Sequence, residues 1–210
     1  KDGGTITKQL FNTEFSDKTE PSYSEKENII VYTSNKDDVR GNIELIRLSD
    51  NYEIIEKKIL TDAKTEDKKP FISNDGKRIL YIETDLSGKL NALVLLTYPD
   101  LQKKKIIEKN IFDFTVFENS IIFITKSNDL WVLEFFDLNS GKSDTIISSN
   151  YRLQNPFFDD DKKFLYFSKI LNNQSILFRL NFALWQKEKK VFISQITPSN
   201  FNLLNPIYYN

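Results

Sequence analysis

Short apolar runs separated by polar turns recur along the chain. In Ile43–Leu48 (IELIRL), the period of two of an extended strand places Ile43 and Leu45 on one face and Ile46 and Leu48 on the other. The sequence Asn74-Asp75-Gly76 separates two such runs, and it favours a hairpin because Asn and Gly tolerate a positive φ. The pattern therefore predicts an all-β chain of short antiparallel strands.

One line of sequence recurs four times, as Ile30–Thr33, Ile79–Ile82, Ile121–Ile124 and Phe164–Phe167. Its aromatic column is Tyr32, Tyr81, Phe123 and Tyr166, with spacings of 49, 42 and 43 residues. A unit of four short strands over 40 to 50 residues is typical of a β-propeller blade. We predict four full four-stranded blades, with the aromatic column buried between them. The repeats cover about 21–60, 70–108, 111–148 and 156–196, followed by an incomplete fifth copy at 205–210.

The two ends of the chain supply single strands. Residues 5–11 (TITKQLF) lie where a fourth strand would end, and residues 206–209 lie where a first strand would begin. We expect one propeller domain over residues 1–210, closed as a ring of four blades with these two strands near the closure. Three alternatives stay open: a reduced two-stranded closing element, a native chain that continues beyond Asn210, and a part of a five-bladed propeller.

The repeat opening resembles a known family. Pro70–Ile82 (PFISNDGKRILYI) is similar to the repeat of TolB-like (WD40-like) propellers, which also occurs in the N-terminal propellers of prolyl-oligopeptidase-type proteins. Pro156–Phe167 keeps the order of residues without the Gly, and Pro21–Tyr32 keeps only Pro, Tyr and Ser. The resemblance implies a non-catalytic protein-interaction scaffold of a bacterial cell envelope, whose partner is another envelope protein.

Composition narrows the classes of function. The charge is balanced, with 29 basic and 30 acidic residues, so we expect no nucleic-acid partner. No apolar run is long enough to predict a membrane-spanning segment. The start Lys-Asp-Gly-Gly without Met fits an exported protein whose signal has been removed, periplasmic or outer-membrane-associated. Heavy use of Lys, Asn, Ile and Phe fits an AT-rich bacterial genome.

The chain lacks His and Cys, so Ser-His-Asp and Cys-His catalysis and histidine metal sites are excluded. We therefore predict a protein that is not an enzyme, with no catalytic residue, no cofactor and no metal site. Asp159-Asp160-Asp161 has the carboxylates that calcium prefers, but a solvated turn beside Lys162 and Lys163 is the favoured interpretation. Two other functions stay open: a carbohydrate-binding or glycoside-processing propeller, and an accessory domain of a longer envelope protein.

Trp185 is the single candidate contact residue. It lies in the segment 181–190 (NFALWQKEKK), which is longer than the matching turns and has room for one helical turn. Trp is enriched at binding hot spots, so Trp185 is predicted as a partner contact. The alternative is that the indole packs over the edge of its blade, where it gains a large buried apolar area.

Overall fold

The computed structural model describes residues 10, 17–36, 39–62, 64–88, 91–159 and 161–197. The chain divides into two compact units, Lys1–Lys109 and Asn110–Asn210. The strands predicted at 5–11 and 206–209 lie outside the described residues, apart from Leu10, as does the incomplete copy at 205–210. The prediction of a single domain with terminal strands at its closure stays a prediction.

The first unit contains two four-stranded antiparallel sheets, in which strands that follow one another in sequence are also neighbours in space. The first sheet, blade 1, consists of β1 (Lys18–Ser24), β2 (Ile29–Ser34), β3 (Asn42–Leu48) and β4 (Ile54–Ile59). The second, blade 2, consists of β5 (Glu66–Ile72), β6 (Arg78–Thr84), β7 (Asn91–Thr97) and β8 (Gln102–Ile107).

The second unit has the same architecture. Blade 3 consists of β9 (Ile111–Phe117), β10 (Ser120–Ser127), β11 (Leu130–Asp137) and β12 (Ser143–Ser149). Blade 4 consists of β13 (Leu153–Phe158), β14 (Phe164–Leu171), β15 (Gln174–Asn181) and β16 (Ile193–Gln195), with helix α1 (Phe182–Glu188) between its last two strands. The described residues contain no helix with the length and apolarity to cross a lipid bilayer. The prediction of an all-β chain with four four-stranded blades is confirmed.

The first strands of blades 1, 2 and 4 share a bulge. Their pairing shifts register near Glu20, Lys69 and Asn155, and these three residues have φ between 51° and 54°. Each is followed directly by a proline, which has no N–H to offer to the sheet and is tolerated at a bulge. The strands therefore begin before the prolines at which the sequence repeats were predicted to start.

The second strands form the cores of the units. In the first unit, residues of β2 and β3 pack against residues of β6 and β7, and in the second unit, residues of β10 pack against residues of β14. The predicted aromatic column is buried at all four positions, with no side chain more than 8% exposed. Its members are Tyr32, Tyr81, Phe123 and Tyr166.

The register predicted for the fourth repeat is wrong by one residue. The turn of blade 2 is closed by a bond from the Ser73 N–H to the Arg78 carbonyl, and the turn of blade 4 by one from the Asp159 N–H to the Phe164 carbonyl. Both turns thus have the same length, so Phe167 occupies the position that Tyr81 holds in blade 2.

Phe167 packs in the core between blades 3 and 4, where it stacks against Phe178 with ring centroids 6.0 Å apart. Tyr166, the predicted member of the column, lies on the opposite face of β14 and stacks on Phe157. Successive side chains of a strand point to opposite faces, so matching Tyr to Tyr in the alignment reversed the faces of this strand.

A carboxylate of one blade binds the bulge of the next blade within each unit. In the first unit, the Lys69 N–H donates to Glu20 Oε2 at 2.8 Å. In the second unit, the Asn155 N–H donates to Asp113 Oδ2 at 2.7 Å. We call these two contacts the bulge clamps. They satisfy a backbone donor that the bulge leaves outside the sheet ladder.

Candidate functional site

The first unit contains a buried polar cluster around Asp67 of β5. The Asp67 side chain is inaccessible to solvent, and its Oδ1 accepts a hydrogen bond from Thr65 Oγ1 at 3.0 Å. Its Oδ2 and the Tyr81 hydroxyl meet no hydrogen-bond partner among the described residues. Burial raises the pKa of the Asp67 carboxyl to about 6 and also raises the pKa of the Tyr81 hydroxyl. Asp67 is therefore the most perturbed carboxyl of the described residues.

A pocket of about 210 Å³ lies beside this cluster and is lined in part by Thr65, Glu83 and Glu108. Glu83 is opposite Asp67 in the β5–β6 pairing, so their side chains lie on the same face. The Glu83 carboxylate forms an ion pair with Lys105 Nζ at 3.0 Å, and its hydrogen bond raises the pKa of the Lys105 ammonium. This lysine neutralises Glu83, which lies beside Asp67 and also lines the pocket.

The acidic turn of blade 4 is organised around its own backbone. Asp159 Oδ1 accepts a hydrogen bond from the Phe164 N–H at 3.0 Å, and Asp161 pairs with Lys163 at 3.0 Å. Asp160 lies outside the described residues. Within the part of the chain that the structure describes, no group of three or more His, Cys, Asp or Glu side chains is arranged to hold a metal ion.

Trp185 lies in the core of the second unit. The segment 181–190 forms α1, whose N-cap residue Asn181 accepts a hydrogen bond from the Leu184 N–H at 3.0 Å. The indole is 2% exposed and stacks on Phe182 with ring centroids 5.4 Å apart. The Lys189 ammonium lies 4.2 Å from the ring centroid of Trp185. The side chain thus offers almost no surface to a partner. It packs against its own blade, as the alternative interpretation of the sequence stated.

An exposed apolar segment follows α1 instead. It runs over residues 191–196 (VFISQI), includes β16 and has no charged residue. Exposure of its four large apolar side chains ranges from 37% for Ile193 to 54% for Phe192. We call this segment the apolar edge. Sequence analysis included it only as the end of the repeat at 156–196, although its lack of charge directly after the run Lys-Glu-Lys-Lys was visible in the sequence.

A groove of about 190 Å³ adjoins the apolar edge, lined by Phe164, Arg179, Asn181, Phe192, Ile193 and Ser194. The Arg179 guanidinium lies 4.6 Å from the ring centroid of Phe164 and forms no ion pair among the described residues. A guanidinium that lies over an aromatic ring is suited to bind a carboxylate, because the ring supports its flat face while its N–H donors stay available. Sequence analysis missed Arg179, since its position opposite β16 depends on strand pairing.

Comparison with known proteins gives matches to solved structures only: no protein-family model and no curated protein sequence matches the chain. A protein assigned as TolB from Agrobacterium tumefaciens superposes with a TM-score of 0.70 at 16% identity, covering 89% of this chain and 64% of that one. TolB from Acinetobacter baumannii gives a TM-score of 0.62 at 15% identity, covering 77% of this chain and 40% of that one.

The β-propeller domain of the Trilobed protease from Pyrococcus furiosus gives a TM-score of 0.56 at 12% identity, covering 90% of this chain and 59% of that domain. The chain thus spans less than two thirds of the length of each of these three structures. At these identities the similarity shows the fold, and it agrees with the TolB-like repeat predicted from Pro70–Ile82. The chain is therefore a β-propeller of four four-stranded blades, with the fold of TolB proteins and of peptidase propeller domains.

Proposed function

We propose that this protein is a non-catalytic scaffold of a bacterial cell envelope, periplasmic or outer-membrane-associated, that binds another envelope protein. The observation that carries the proposal is the apolar edge at residues 191–196. It exposes Val191, Phe192, Ile193 and Ile196 within six consecutive residues. Contiguous exposed apolar side chains mark protein-interaction sites, since leaving them in water has a free-energy cost that a partner removes.

The similarity to TolB structures supports this proposal at the level of the fold. The envelope location and the protein partner rest on that similarity together with the exposed apolar surface. We assign the contact to the apolar edge and not to Trp185, because the Trp185 side chain is buried.

The non-catalytic role has a chemical argument of its own. The chain contains neither His nor Cys, so a side-chain general base near neutral pH would have to be a carboxylate, a lysine or a tyrosine with a shifted pKa. Asp67 has such a pKa, but its carboxyl is fully buried and does not line the adjacent pocket. Glu83 lines that pocket but is bound to Lys105.

Site-specific cross-linking tests the proposal. A photo-reactive amino acid replaces Phe192 in the apolar edge, and a matched variant carries it at Lys104, an exposed residue of β8. Both proteins are irradiated with envelope and cytoplasmic fractions of the source bacterium. We expect one discrete adduct from position 192 in the envelope fraction and none from position 104. Adducts of equal yield from both positions, or only with cytoplasmic proteins, would contradict the proposed function.

A further inference from the structure

The outermost strand of blade 4 differs from the outermost strands of the other blades. Strands β4, β8 and β12 all carry charged residues, such as Lys57, Lys104 and Asp144. Charges on an edge strand discourage pairing with other chains, because pairing would desolvate them or bring them together. Strand β16 (Ile193–Gln195) and its flanking residues 191–197 have none. This edge alone among the four lacks that protection in the described part of the chain.

The backbone of β16 presents free hydrogen-bonding groups to one side. The Asn181 N–H donates to the Phe192 carbonyl, and the Ile196 N–H donates to the Leu177 carbonyl. In an antiparallel ladder such bonds use every second residue, so Ile193 and Gln195 direct their N–H and C=O groups away from β15. No described strand pairs with that side of β16. Within the described part of the chain, that side of β16 is open to an added strand.

The groove beside β16 favours a negatively charged ligand. Ser194 pairs with Arg179, and Asn181 is the partner of Phe192, so these side chains and Phe164 share one face of blade 4. The Arg179 guanidinium has no carboxylate partner among the described residues. The neighbouring lysines of the helix end are already paired, Lys189 with Asp144 and Lys190 with Glu188. A segment laid along β16 would thus meet apolar surface and one unneutralised positive charge.

We propose that the edge of β16 receives an extended segment of a partner protein by strand addition. The segment alternates acidic residues with apolar ones, so that carboxylates on one face of the added strand meet the face of blade 4 that carries Arg179, while apolar side chains on its other face cover Ile193. Main-chain hydrogen bonds to Ile193 and Gln195 supply affinity, and the groove supplies specificity. This inference rests on the proposed function and names the chemistry of the partner.

Synthetic peptides test the charge preference. One fluorescent peptide alternates Val with Glu and a second alternates Val with Lys, and their binding to the full chain is followed by fluorescence anisotropy. We expect the Val-Glu peptide to bind about tenfold more tightly, since like charges near Arg179 repel the Val-Lys peptide. Arg179→Gln should weaken binding of the Val-Glu peptide about fivefold and leave the melting temperature close to that of the parent. Equal binding of the two peptides would overturn the inference.

A second pair of variants tests strand addition itself. Gln195→Pro removes an N–H that points away from β15, so pairing within blade 4 is preserved while the added strand loses a donor. Gln195→Ala keeps that N–H and is the matched control. We expect Gln195→Pro to lose binding of the Val-Glu peptide and Gln195→Ala to retain it. Binding that survives in Gln195→Pro at the level of Gln195→Ala would show that no strand is added.

The remaining outcomes separate the two proposals. An envelope adduct at position 192 without any peptide binding would leave the scaffold standing and overturn strand addition. Peptide binding of the expected pattern without an envelope adduct would contradict the envelope scaffold only. Sedimentation of the free protein tests whether a second copy of this chain occupies the edge instead. A dimer that Gln195→Pro abolishes and that the Val-Glu peptide does not dissociate would show that it does, and would contradict strand addition by a partner protein.

Discussion

At the scale of single residues, the second strand of each blade buries a large aromatic side chain at one equivalent position. Tyr32, Tyr81 and Phe123 are buried in equivalent positions, as the repeat predicted. In blade 4 the equivalent residue is Phe167 and not Tyr166. The turns before the second strands of blades 2 and 4 have the same length, and this length sets the register, whatever the similarity of Tyr81 to Tyr166. Tyr166 and Phe167 are both aromatic and both buried, so composition alone could not decide between them.

The core position of Phe167 predicts a large loss of stability on truncation. We expect Phe123→Ala and Phe167→Ala each to lower the free energy of unfolding by about 3–5 kcal/mol, through lost burial and the cavity that remains. Urea denaturation measures the change. Tyr151→Ala is the control, because this exposed side chain should contribute less than about 0.5 kcal/mol. A Phe167→Ala midpoint equal to that of the parent would show that the corrected register is wrong.

Asp67 predicts a dependence of stability on pH. Its pKa is about 6 in the folded state and about 3.9 in an unfolded chain, so the folded state binds the proton more tightly. The contribution of Asp67 to stability is therefore full below about pH 4 and is lost as the pH rises through 6, with a limit of about 3 kcal/mol.

Asp67→Asn removes this titration. We expect the melting temperature of Asp67→Asn to rise relative to the parent between pH 4 and pH 7, as measured by calorimetry in matched buffers. Asp129→Asn, at a fully exposed carboxylate, controls for the loss of one charge. A constant difference between Asp67→Asn and the parent over this range would contradict the prediction.

At the scale of elements, the strands were predictable from period-two patterns and turn residues, whereas the contacts between strands of different blades were not. Sequence analysis singled out acidic residues only in turns, at Asp75 and at 159–161. Glu20 and Asp113 instead lie in first strands and form the bulge clamps. Their role depends on which backbone N–H lies opposite, and a sequence without coordinates does not specify that pairing.

The clamp of the second unit predicts a specific loss of stability. Asp113→Ala leaves the half-buried Asn155 N–H without its acceptor, and we expect a cost of about 1.5–3 kcal/mol, the range for a hydrogen bond to a charged group. Asp113→Asn retains an acceptor oxygen and should cost less. Chemical denaturation measures both variants, and hydrogen exchange at Asn155 should accelerate in Asp113→Ala alone. If Asp113→Asn and Asp113→Ala are equally destabilised, the charge and not the hydrogen bond is responsible.

At the scale of the whole molecule, the number of blades followed from the sequence because each repeat carries its own strands and turns. The apolar edge could not be predicted in this way, because the exposure of its side chains depends on which strand forms the outer edge of each sheet. Among the described residues, the second strand of each sheet is more buried than the fourth. Second strands such as β10 are almost wholly buried, while fourth strands such as β4 and β16 are mostly exposed.

This contrast between second and fourth strands predicts the order of hydrogen exchange. We expect amides of β2, β6, β10 and β14 to exchange at least about tenfold more slowly than amides of β4, β8, β12 and β16, because outer strands open locally without loss of the core. Mass spectrometry of exchange in peptides from each strand measures the rates. Equal protection of outer and second strands would show that the blades open only as whole units.

The bulge clamps also give each pair of blades a polarity. The acid always comes from the earlier blade and the amide from the later one. A gene in which the two blades of a unit are exchanged in order would bring Lys69 and Asn155 into the positions of the acids, and neither amide would find its carboxylate. A circular permutant that keeps the same spatial neighbours retains both bonds. The blades thus share one fold but differ in their contacts with each other. A recombination that keeps the bulge clamps must preserve which blade supplies the carboxylate and which supplies the N–H.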